Sequence, residues 1–176
     1  AVVEEGGQKK NVQAVVSGIP ASFEISGTWK MELKGDGFPE FSKETDELFS
    51  WTDNPITRNF SGTGRYEISF QVPVEYVKGD LRLLIDLGKV GNVAEVILNG
   101  QNLGTVWIRG QKLDLTKAIK EGNNKLVVLV TNTLINRISA MKEAPVVPAE
   151  LVSRFGNGAV NTGIPREFGF KPLPAS

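Results

Sequence analysis

Strict alternation of apolar and polar side chains marks the middle of the chain. Over residues 22–33, Phe23, Ile25, Gly27, Trp29, Met31 and Leu33 fall on one side and Ser22, Glu24, Ser26, Thr28, Lys30 and Glu32 on the other, which predicts a long half-buried strand with Trp29 in the core. Tyr66, Ile68, Phe70 and Val72 alternate with Arg65, Glu67, Ser69 and Gln71 in a second strand, and Pro73, which lacks an N–H, should end it. After a Lys78-Gly79-Asp80 turn, Leu81, Leu83, Ile85 and Leu87 again share a face, with Asp86 on the opposite side as a solvated or sheet-bonded residue. A tight hairpin follows, because Asn99-Gly100 supplies the two positive-φ residues of a type I′ turn between apolar runs. Pairing Leu98 with Gln101 sets Val96 against Leu103 and Ala94 against Thr105, and parity with Leu103 directs Trp107 inward. Farther on, Thr116 reads as the N-cap of a helical turn that Gly122 stops, with Asp114 favoured by exposed N–H groups there. The run Leu126 to Val130 is apolar on both faces and predicts a strand covered on both sides.

Elsewhere the pattern weakens. Residues 1–19 read as a lead-in or linker, although Val12 to Val16 could add an edge strand. Residues 35–59 break the periodicity with Gly, Pro, Asp and Asn and predict a long loop, a length usually reserved for functional or disordered segments. Residues 154–176 are rich in Gly, Pro and Phe without a period and suit a crossing loop before a final strand. The organisation expected is therefore one domain over 20–176, truncated at its C-terminal end so that a neighbouring strand edge is left open.

Composition sharpens this in a few respects. At 176 residues one core can bury roughly 70% of the unfolded surface, and 19 Gly with 9 Pro favour a turn-rich, all-β antiparallel sandwich over a helical bundle. Twenty basic and twenty acidic residues cancel, so no field draws the chain to nucleic acid or an anionic membrane, and no apolar run is long enough for a spanning helix. No signal peptide is present, but the first residue is not Met, so processing could have removed one. The chain has no Cys and no His, which excludes a disulfide, a thiolate or Ser-His-Asp nucleophile and imidazole metal ligands.

Carboxylates, Lys, Tyr and hydroxyls remain for catalysis. Glycoside hydrolysis needs two carboxylates about 5–9 Å apart across the scissile bond, and no credible pair stands out, so no catalytic residue is assigned and this fragment is read as non-enzymatic. Sugar binding needs an aromatic face for the pyranose ring and planar polar groups for its hydroxyls. Trp51 with Asp53, Asn54 and Arg58 offers those types within one loop, for which packing as a lid is the competing reading; Trp107 with Arg109 offers a second set. No Asp-rich ligand string appears, so no cofactor is expected beyond a structural calcium of the kind lectin sandwiches hold.

One stretch, residues 59–132, carries a specific resemblance. Its order runs from Phe60-Ser61-Gly62-Thr63 and the Tyr66 strand through the Leu-Asp-Leu-Gly-type strand ending at Gly88, Ala94-Glu95-Val96, Asn99-Gly100 and Leu103-Gly104 to Leu113-Asp114-Leu115-Thr116 and Gly122-Asn123-Asn124. It resembles the sugar-binding jelly roll of family two glycoside hydrolases, and more closely the non-catalytic C-terminal β-domain of bacterial α-L-rhamnosidase-like glycoside hydrolases. Leu48, Phe49, Ser50, Trp51 and Thr52 match that family's segment before the Ser-Gly-Thr strand, and Thr131, Asn132, Asn136 and Arg137 match its Thr-Asn-x-x-x-Asn-Arg segment. Ser139-Ala140 stands where the family has Gly-Asp, so no role of that acid is carried over. The resemblance, over about residues 23–137, implies a galactose-binding-like jelly roll acting as an accessory domain, with the catalytic carboxylates in a separate barrel domain, and a periplasmic or extracellular setting. The alternative is a free-standing carbohydrate-binding module or lectin recognising plant or host glycans, since this fold hosts unrelated roles.

Overall fold

The computed structural model describes residues 18–141, 149, 150 and 153, and the backbone course of residues 2–5 and 8–11. The expectations for Val12 to Val16 and for the C-terminal tail lie outside the described residues. Strands β1 (Val2–Glu5) and β2 (Gln8–Asn11) form an antiparallel ladder of their own within the expected lead-in.

The body is an all-β antiparallel sandwich of unequal layers. One layer has six strands in the order β4-β3-β5-β10-β7-β8, comprising β3 (Trp29–Lys34), β4 (Phe41–Thr45), β5 (Thr63–Val72), β7 (Val93–Leu98), β8 (Gln101–Val106) and β10 (Gly122–Thr131). The other is a two-stranded ladder of β6 (Leu84–Asp86) and β9 (Lys112–Asp114). Helix α1 (Val74–Val77) follows β5, and helix α2 (Ile135–Ser139) follows β10. Alternation in the central strands does what period two requires: Met31, Leu33, Tyr66, Ile68, Phe70, Val72, Ala94, Val96, Leu98, Leu126 and Val128 are buried and meet Ile85 and Leu115 from the thinner layer. Each large aliphatic buried this way contributes about 1.5–3 kcal/mol before entropic costs.

Four expectations need correction. The strand predicted from Ser22 begins only at Trp29, after Gly27 at φ +132, and Trp29 is half-buried against the core. The predicted loop 35–59 contains β4, whose segment Phe41-Ser42-Lys43-Glu44-Thr45 lacks an apolar face because it is an edge strand held to β3 by backbone pairing. The outward face of β10 is not covered by a further element among the described residues; Val127 is nonetheless buried, flanked by Ile97 and Glu67 in a row where Lys125 and Arg65 both pair with Glu67.

The fourth concerns the hairpin. Leu98 does pair with Gln101, but the register shifts after Ile97 opposite Asn102, so that Val96 pairs with Gly104 and Ala94 with Val106. Leu103 is the extra residue of a β-bulge, Gly104 takes φ +120, and its N–H donates to Asn102 Oδ1. One added residue reverses parity. Val106 turns inward and Trp107 outward, where it is 67% exposed.

Candidate functional site

Trp51 belongs to a 3-10 turn, Trp51–Asp53, that lies over the buried face of the main sheet. Its indole is 1% exposed, stands edge-to-face with Phe60 at 4.9 Å between centroids, and donates its Nε1–H to the Tyr66 hydroxyl. Burial raises the Tyr66 hydroxyl to about 12, a shift that the Trp51 bond offsets only in part. Gly64 lies beneath, where a Cβ would come within 2.5 Å of the Trp51 ring. Thr57 ties the loop down by donating its hydroxyl to the Trp51 carbonyl, and Asn54 accepts the Ile56 N–H. Of the first sugar-binding set, then, Trp51 has no ring face to offer and packs as a lid, Asn54 shapes a turn, and only Asp53 and Arg58 are exposed.

The second set is arranged differently. Trp107, Ile108 and Arg109 leave β8 in a turn that Gln111 braces, its Oε1 accepting the Trp107 N–H and its Nε2 donating to the Thr105 carbonyl. This turn meets the segment before β7, where Gly88 (φ +66) and Asn92 (φ +67) bend the backbone into the left-handed region. Together Gly88, Lys89, Val90, Asn92, Val106, Trp107, Ile108 and Arg109 line a shallow pocket of about 60 Å³. None of Trp51, Asp53, Asn54 and Arg58 lines it. Lys89 and Asn92 were not legible as partners of Trp107, because fifteen or more residues separate them in the chain.

The acids that drew attention in the sequence have structural partners. Asp86 accepts the Gly88 N–H and pairs with Lys112 at 3.3 Å, in that order the causes holding its carboxyl below the usual range. Thr116, then Arg82, holds Asp114 down to about 2. Among the described residues no three acidic side chains gather as a metal site.

A larger groove, about 1080 Å³, runs along the buried side of the main sheet between residues 19–26, 46–51 and 81–91. Its floor includes Tyr66, Phe70, Leu126 and Val128, and Ile19, Phe23, Leu48 and Leu84 are exposed along it.

Comparison with known proteins places this geometry in context. No family model matches the chain. A Formosa agariphila protein provisionally named a β-glucuronidase is 38% identical over 138 residues, covering 77% of this chain and 12% of that protein. A rhamnosidase structure from Novosphingobium sp. PP1Y superposes with a TM-score of 0.64 and 27% identity, covering 93% of this chain and 16% of its own. A Bifidobacterium dentium β-glucuronidase does so with a TM-score of 0.52 and 27% identity over 62% of this chain and 20% of its own. The chain is similar to one part of larger glycoside hydrolases. It spans less than a quarter of the length of each of these relatives.

The residues behind the resemblance prove to be fold locks. Asn132 accepts the Gly62 N–H and donates to the Phe60 carbonyl, while Arg137 donates its backbone N–H to Ser61 and its guanidinium to the Asp36 carbonyl. Asn99 and Asn124 bond each other and clasp the hairpin to the turn before β10.

Proposed function

We propose that this chain is a non-catalytic accessory β-sandwich domain of a bacterial glycoside hydrolase, α-L-rhamnosidase-like, with a galactose-binding-like jelly-roll fold, packing on the catalytic domain of its parent polypeptide. The observation that carries this is asymmetric coverage: 93% of the chain superposes on 16% of a rhamnosidase. The more complete superposition on that enzyme than on the β-glucuronidase favours the rhamnosidase side. The exposed Ile19, Phe23, Leu48 and Leu84 beside the groove supply apolar surface that an interdomain contact would bury. A periplasmic or extracellular setting accompanies this reading.

The native protein tests it. Antibody against this domain should detect a polypeptide several-fold heavier than 19.1 kDa. That polypeptide should cleave p-nitrophenyl α-L-rhamnoside in preference to the β-D-glucuronide, while the isolated chain cleaves neither. A native product of this chain's own mass would refute the reading; preference for the glucuronide would replace only the rhamnosidase assignment.

A second reading, a carbohydrate-binding module, is favoured by one observation: Trp107 presents its ring to solvent beside Arg109.

A further inference from the structure

We propose that the pocket between the 88–92 segment and the 107–109 turn binds a carboxylate-bearing saccharide, a uronate, with Trp107 as the stacking face and Arg109 and Lys89 as countercharges. This rests on the sugar-binding reading of Trp107 and names the ligand class. Three features point the same way. The indole is 67% exposed on a braced turn, an apolar face held ready for the C–H side of a pyranose. Two cations, Lys89 and Arg109, line the same pocket, and neither makes an ion pair among the described residues. No carboxylate lines it, and Asp86, two residues before the segment, is engaged by Gly88 and Lys112.

A neutral sugar would leave both cations without charge partners. A carboxylate on the pyranose ring would answer them, accepting paired N–H bonds from the planar guanidinium while the ammonium contributes as a point charge. Asn92, exposed on the pocket wall, adds an amide for ring hydroxyls. The pocket is too shallow to enclose a monosaccharide, so the expected ligand is one exposed residue of a chain, bound at about millimolar strength.

The test is a titration of the 176-residue chain followed by tryptophan fluorescence and by NMR shifts of the 88–92 and 107–109 amides. The probes are methyl β-D-glucuronide and methyl α-D-galacturonide against methyl β-D-glucoside and methyl α-D-galactoside. The uronates should bind about tenfold more tightly than their neutral counterparts, and the margin should shrink at high salt. Arg109→Ala and Lys89→Ala should each erode that margin, Arg109→Lys should keep part of it, and Trp107→Ala should remove binding altogether. Circular dichroism of each variant checks that these exposed substitutions leave the fold intact. Equal binding of neutral and acidic sugars at Trp107 would overturn the uronate assignment and keep the sugar site. Flat titrations with all four would overturn both and leave the patch as a protein contact.

Discussion

Tyr66 holds the lid over the core with one hydroxyl. Its oxygen accepts the Trp51 Nε1–H in a buried setting, so Tyr66→Phe leaves that donor unpaired and should cost about 1–3 kcal/mol at neutral pH, measured by urea unfolding. The same hydroxyl makes stability depend on base. Its value is raised from 10.0 to about 12, so above pH 10 the unfolded chain loses the proton while the folded chain keeps it. Its contribution is full below pH 10 and lost as pH rises toward 12; Tyr66→Phe should lack this decline, on the order of 2 kcal/mol. Gly64→Ala tests the same packing sterically. The new methyl would lie 2.5 Å from the Trp51 ring and 2.7 Å from Leu33 Cδ2, and overpacking of this kind costs about 1–3 kcal/mol, readable as a lowered melting temperature.

The hairpin shows how elements are joined by side chains rather than by turn chemistry alone. Asn99 sits at φ +51 in the turn, accepts the Lys125 N–H and donates to the Ala118 carbonyl and to Asn124 Oδ1. Asn124, fully buried, also accepts the Lys120 N–H and donates to the Lys120 and Gly122 carbonyls. Asn124→Ala would leave several polar groups unpaired, and a loss of about 3 kcal/mol is expected, with faster amide exchange at Lys120 and Lys125 as its local signature. The turn type was legible from Asn99-Gly100, whereas Thr116, expected to cap a helical turn, uses its hydroxyl on the Leu83 backbone instead, and Gly122, expected to stop that turn, opens β10 at φ +77. The bulge at Leu103 was not legible, because an extra residue in one strand is defined only against its partner. That bulge reversed the expected orientation of Trp107 and so moved the better sugar-binding candidate from the core to the surface.

At the scale of the molecule, the six-stranded layer is faced, among the described residues, by two paired strands, and the groove beside them leaves apolar side chains exposed. The isolated chain should therefore bind an environment-sensitive dye such as 1-anilinonaphthalene-8-sulfonate. Leu48→Glu with Leu84→Glu should reduce that signal while shifting stability by no more than about 0.5 kcal/mol, since both side chains are already exposed. Unchanged dye binding in the double variant would mean that the groove does not carry the apolar surface assigned to it. By itself the sequence determined the all-β class, the central strands and the tight hairpin, because period-two alternation and positive-φ turn residues act over a few neighbours. Burial of Trp51, exposure of Trp107, the edge strand β4 and the meeting of Lys89 with Arg109 were decided only by the tertiary structure. Each depends on segments distant in the chain closing on one another, and local periodicity does not encode that distance.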